Sequence, residues 1–120
     1  MAIAGEPPRC ADITKLNYDF ACRLVRLFEL MKRQGYDPYL YETYRTRERQ
    51  KWLYGLGRTH HRGLKPVTWT LNSKHCEGKA ADIISRRKLW NDPRFFEALK
   101  KNAEAVGLRT IDKEGCHVEL

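Results

Sequence analysis

Two short stretches of this chain carry side chains that could do chemistry at a metal. One is Ser73-Lys74-His75-Cys76-Glu77-Gly78-Lys79-Ala80-Ala81-Asp82; the other, near the C-terminus, is Glu114-Gly115-Cys116-His117. His75, Asp82 and His117 supply two imidazoles and a carboxylate. These donor types hold a catalytic zinc through three protein ligands while a fourth position stays open to water. Glu114, just upstream of His117, is a carboxylate of the kind a general base requires to take a proton from the attacking water. On a strand, Cys116 and His117 point to opposite faces, and a turn through Gly115 would bring Glu114 back to the metal side. The same period-two geometry argues against a mixed Cys/His site built with Cys76 and Cys116. Asp112 and Glu119 are the other carboxylates near His117, and Asp112 needs a different turn to reach the metal.

A small set of elements must position these residues. Leu16, Phe20, Leu24, Leu27, Phe28 and Met31 recur at helical steps and Gly35 follows as a C-cap, predicting a helix over about 14–34. Tyr39-Leu40-Tyr41-Glu42-Thr43-Tyr44 follows a Gly-Tyr-Asp-Pro turn and is dense in aromatic residues, so it reads as a strand. Thr46 caps a helix that has Glu48 in its first turn and stops at Gly55 or Gly57. Residues 57–65 form a basic loop, Pro66-Val67-Thr68-Trp69-Thr70 a short strand, and 80–84 a further strand. Asp92 as N-cap and Pro93 at the first helical position announce a third helix. Its apolar face is Phe95, Phe96, Leu99, Ala103 and Val106, and Gly107 ends it. Residues 116–120 alternate as a terminal strand would. Residues 1–11, with Gly5, Pro7 and Pro8, are an extended lead-in to a single domain over 12–120. Helices and strands mix without a regular βαβ repeat, which predicts a small α+β domain with helices packed on one face of an antiparallel sheet.

The chain's 120 residues, 42% hydrophobic and with 13 aromatics among them (Trp 3, Tyr 6, Phe 4), suffice for one core and exclude disorder. No apolar run approaches the roughly 20 residues that cross a bilayer. The N-terminus shows no basic region followed by an apolar one, so cytoplasmic synthesis without a secretory signal is expected. In that compartment Cys10, Cys22, Cys76 and Cys116 are expected as thiols. Lys and Arg number 23 against 15 Asp and Glu, giving a formal charge of +8 that favours an acidic partner. Seven basic residues crowd positions 45–65 against one acid, Glu48, with Trp52, Tyr54 and Trp69 close by. A basic nucleic-acid-binding module would look like this too, although the sequence carries no nucleic-acid motif. His60 and His61 are read as solvated members of the basic loop.

S-x-H-x-x-G-x-A-x-D followed by E-x-x-H resembles the zinc peptidases of the D-alanyl-D-alanine carboxypeptidase and phage L-alanyl-D-glutamate peptidase type, whose fold is shared with the signalling domain of Hedgehog proteins. Upstream, Tyr44-Arg45-Thr46 with Glu48, Gln50, Leu53 and Tyr54, then Gly57-Arg58-Thr59 and Val67-Thr68, is similar to the stretch that precedes the zinc motif in phage lysins of this family. The resemblance implies zinc held by His75, Asp82 and His117, with Glu114 as base and later proton donor. It also implies that Arg45 neutralises charge on the substrate carbonyl, that Ser73 orients substrate, and that Gly78 and Ala80 are structural. The implied substrate is the stem peptide of peptidoglycan, cut by an endolysin of phage or prophage type, with the L-alanyl-D-glutamate bond favoured over release of D-alanine. Glu114 in place of Asp leans towards the carboxypeptidase pattern, and the short GLRTIDK stretch before it implies a different wall to the substrate cleft. A monomer steered by its charge onto the anionic cell wall is expected, reaching the wall from the host cytoplasm after the membrane is permeabilised.

Overall fold

The computed structural model describes residues 3–68 and 70–120. Helix α1 spans Tyr18–Arg33, strand β1 Pro38–Glu42, helix α2 Arg47–Gly55, β2 Ala80–Ser85, α3 Pro93–Ala105, β3 Arg109–Ile111 and β4 Glu114–Glu119. Short 3-10 turns at Ile13–Lys15 and Lys74–Glu77 complete the order. All strand pairs are antiparallel, in the order β1-β2-β4-β3.

Each helix starts where a side chain can satisfy an otherwise unpaired N–H. The Asn17 side chain accepts from Phe20 N, Thr46 from Arg49 N and Asp92 from Phe95 N. The first helix therefore begins later than its periodicity predicts. Asp12 caps the 3-10 turn, Leu16 leaves the helical conformation, and Asn17 restarts it. From α1, Phe20, Leu24, Leu27 and Met31 pack with Phe95, Leu99 and Ala103 of α3 against Ala81 and Ile83 of β2 and Val118 of β4. Two helices thus cover one sheet face, while the alternate residues of β2, Asp82 among them, face the other way. The third helix, α2, joins that second side through the side chains of Arg49 and Gln50.

Two sequence expectations change. Residues 66–68 and 70 form no strand, and Trp69 lies outside the described residues. GLRTIDK, read as a short connection, contains β3. Residues 3–12 carry no helix or strand and are tied down: Thr43 N donates to Cys10 O at 2.8 Å, and Arg49 to Glu6 Oε2 at 2.7 Å and Pro7 O at 2.8 Å. The four cysteines are unbridged.

Candidate metal centre and active site

The sheet register does most of the work of assembly. Asp82 of β2 lies directly opposite His117 of β4, so both side chains leave the sheet on the same side. His75 comes from the 3-10 turn that packs beside them. Ser73 caps that turn, its hydroxyl accepting from His75 N at 3.1 Å. Gly78 closes the turn in the left-handed conformation (φ 68°), where a Cβ would stand 3.2 Å from Lys15 O. Glycine alone meets both demands without strain.

One donor atom each from His75, Asp82 and His117 lies within 4.8 Å of the others. The tautomers are set from outside the cluster. His75 Nδ1 donates to Thr43 O at 2.8 Å, which turns Nε2 towards Asp82 Oδ1, 3.4 Å away. His117 Nε2 donates to Glu119 Oε1 at 2.9 Å and leaves Nδ1 facing Asp82 Oδ1 at 3.6 Å. Metal-binding imidazoles ordinarily have their second nitrogen fixed in this way. Burial would raise the Asp82 carboxyl, but hydrogen bonds from His117 and His75 and their charge hold it far below its usual range, so it is an anion. Burial would lower His117, and its bonds to Asp82 and Glu119 outweigh that and raise it. Two imidazole nitrogens and one carboxylate brought this close form a donor set suited to zinc.

Glu114 reaches the same side by a route the turn through Gly115 only approximates. On β3, Thr110 pairs with Val118 and the very next residue, Ile111, with Glu114, so residues 115–117 bulge out of that ladder. Glu114 Oε2 ends 3.8 Å from His117 Nδ1, with its side chain about one-third exposed. The bulge also corrects the expectation for Cys116. Instead of pointing away, Cys116 lines the same cavity. Burial, together with the negative charges of Asp82 and Glu114, pushes its thiol up to about 12. Among the described residues the cluster is His75, Asp82 and His117, and neither Cys116 nor Cys76 belongs to it.

Behind the cluster runs a buried chain of charge that no local sequence pattern announced. β1 bulges at Tyr41, which sets Glu42 opposite Asp82. Glu42, 2% exposed, accepts from Arg45 Nη2 at 2.8 Å and from Arg49 Nε. Arg45 also donates to Gln50 Oε1 at 2.7 Å and lies 3.6 Å from Asp82 Oδ2, and its Nε has no hydrogen-bond partner among the described residues. Gln50 in turn holds Thr70 O at 2.6 Å, pinning one wall of the cavity. The run of basic residues is therefore no uniform solvated face. Arg45 and Arg49 are buried, Arg58 lies over the Tyr54 ring, and His60 packs on Trp52 and hydrogen-bonds Trp52 O at 2.8 Å. His60 is structural rather than solvated; His61 is exposed.

The donors open onto a cavity of about 570 Å³ whose lining includes Val67, Thr68, Thr70, Trp90, Phe96 and Ile111. Ser73, Arg45 and Glu114 line it as well, and Asp112 does not. Asp112 pairs instead with Lys100 at 3.3 Å, and Glu119 is spent on His117 and on Lys74 at 3.1 Å.

An antiparallel sheet that seats a two-histidine, one-aspartate cluster beside a free glutamate in an open cavity defines a metallopeptidase type of domain. Residues 13–114 match the family model described as VanY, D-alanyl-D-alanine carboxypeptidase, and the chain belongs to that family of peptidoglycan-acting zinc peptidases. No curated protein matches the chain. Among solved structures it is similar to the LdcB LD-carboxypeptidase (21% identity, TM-score 0.68, covering 87% of this chain and 58% of that one). A variant of the vancomycin resistance D,D-pentapeptidase VanY in complex with Zn(II) is 18% identical, with a TM-score of 0.69 over 87% of this chain and 71% of the other. The Serratia marcescens L-Ala D-Glu endopeptidase ChiX is 19% identical, with a TM-score of 0.58 over 90% of this chain and 82% of that one. The chain spans little more than half of LdcB, and these likenesses establish the shared fold.

Proposed function

We propose that this protein is a zinc-dependent endopeptidase that hydrolyses the L-alanyl-D-glutamate bond of the peptidoglycan stem, as an endolysin would. The observation that carries the reading is the His75, Asp82 and His117 cluster with Glu114 3.8 Å from His117 Nδ1, set in an open cavity of about 570 Å³ that would take peptide flanking a scissile amide.

His75, Asp82 and His117 would hold zinc, which when bound supplies Lewis acidity at the scissile carbonyl and the attacking water. Glu114 takes the proton from that water and delivers it to the leaving amine. Arg45 contributes positive charge from a buried position, where the low dielectric strengthens its effect on the carbonyl oxygen as that atom becomes anionic. Ser73 acts by holding the turn that carries His75. The exposed basic side chains, Arg47, Lys51, Arg62 and Lys65 among them, would steer a monomer onto the anionic wall.

D-alanine release is the second reading, favoured by the family description and by Lys113 at the cavity wall, a cation that could meet a terminal carboxylate. Mass analysis of digested peptidoglycan separates the two. Stem peptides beginning with D-glutamate are expected; release of free D-alanine alone would replace this reading with the carboxypeptidase one. Glu114→Gln is expected to keep zinc and fold while turnover drops about 10²–10⁴-fold. Turnover like the wild type's would move the base elsewhere.

A further inference from the structure

We propose that Trp90 is a sugar platform: a pyranose ring of the glycan strand stacks on its exposed face while the attached stem peptide enters the cavity. The inference rests on the endopeptidase reading, because L-alanine is the residue that joins the stem to its sugar, so a cut after it brings that sugar to the cavity rim.

The seat of Trp90 is built rather than incidental. After β2 the chain makes a tight loop closed by two hydrogen bonds, Ser85 N to Leu89 O at 3.2 Å and Leu89 N to Ser85 O at 2.7 Å. Leu89 is held there at φ 54°, a conformation that a bulky residue adopts only under constraint from its surroundings. The next residue, Trp90, returns to the cavity and lines it. Its ring meets Tyr41 edge-to-face, with centroids 4.8 Å apart and planes at 75°. Tyr41 is the bulged residue of β1 and carries the Arg9 guanidinium 3.9 Å above its own ring. The β1 bulge and one strained loop thus hold a side chain that is still 50% exposed.

A half-exposed indole at the rim of a cavity offers its π-face. The face is electronegative and the C–H groups of a pyranose ring carry the opposite partial charge, so stacking of the two is favourable and tolerant of hydroxyl pattern. Because the ring is already fixed, little side-chain entropy is lost on binding. The neighbouring exposed residues Leu89 and Arg87 would also suit a lipid surface. Trp90 argues against that occupant, because its ring borders the cavity that holds the donor cluster.

The test compares cleavage of a stem peptide carrying its N-acetylglucosamine–N-acetylmuramic acid disaccharide with cleavage of the same peptide without sugar. W90A should reduce the ratio of kcat/KM for the two substrates about 3- to 10-fold, mainly through KM, and W90F should reduce it less. Calorimetric titration with the peptide-free disaccharide should show binding to the wild type that W90A weakens by a similar factor. An unchanged ratio together with unchanged disaccharide binding overturns the proposal. Loss of binding to anionic phospholipid vesicles in W90A, with both sugar measurements unchanged, overturns it in favour of a membrane-facing loop. Should the wild type release only D-alanine, the endopeptidase reading fails by itself, and the disaccharide titration still decides the role of Trp90.

Discussion

Removing the Glu42 carboxylate should cost this protein more than any exposed charge could. Glu42 is 2% exposed and joins two guanidiniums, Arg45 through Oε1 at 2.8 Å and Arg49 through Oε2. In Glu42→Ala, Arg49 keeps Glu6 and Pro7 O, but Arg45 is left with the neutral Gln50 and a longer contact to Asp82. Two buried cations then share one cavity with no anion between them. Truncating one partner of a buried pair costs about 3–5 kcal/mol, against a total stability of roughly 5–15 kcal/mol for a domain. Glu42→Gln keeps the shape and an acceptor oxygen and should cost less, about 1.5–3 kcal/mol. The assay is urea unfolding of zinc-free protein, which keeps metal linkage out of the comparison, with the midpoint shift read at constant slope. Arg45, freed from Glu42, has Asp82 as its remaining carboxylate, so zinc affinity should fall as well. A loss under about 1 kcal/mol for Glu42→Ala, the value of a solvated pair, would refute the reasoning by showing that water screens these charges.

Glu119→Ala removes the acceptor that fixes the His117 tautomer and should weaken zinc about 10–100-fold in chelator competition, with Glu119→Gln in between; an unchanged affinity would remove Glu119 from the site. Glu6 supplies an acid-dependent part of the stability. Burial would raise its carboxyl, but hydrogen bonds from Arg49 and Ile3 N and the charges of Arg49 and Arg9 hold it below its ordinary 4.5. With the folded value depressed, the ionised form stabilises the fold above about pH 4.5, and that contribution is lost as pH falls through the lower folded value. Urea midpoints of wild type and Glu6→Gln should therefore differ near neutrality and converge in acid; a gap that persists at low pH would contradict this. Gly78→Ala places a Cβ in the left-handed region, 3.2 Å from Lys15 O, and should destabilise by at least about 1–2 kcal/mol, read as a lowered urea midpoint.

What the sequence by itself determined is local. The apolar stripes of α1 and α3, the caps at Thr46 and Asp92 and the strand at 80–84 depend on side-chain periods and on donors satisfied within a few residues, so they are legible without a fold. The grouping of His75, Asp82 and His117 was legible from the paired motifs S-x-H-x-x-G-x-A-x-D and E-x-x-H, whose residue types suit a metal and whose order resembles that of a zinc peptidase family. The tertiary structure decided everything that depends on distant partners. β3 was hidden because three residues without a long apolar alternation become a strand only through pairing with β4. The β4 bulge, not strand alternation, puts Glu114 and Cys116 on the side of His117, because a register shift is settled by the neighbouring strand. Thr43 O and Glu119 choose the histidine tautomers, and Glu42 fixes Arg45, through contacts whose geometry no spacing of residues specifies. Ligand identity is a matter of residue type and can be read along the chain; ligand orientation is a matter of hydrogen bonds between segments and exists only once they have packed.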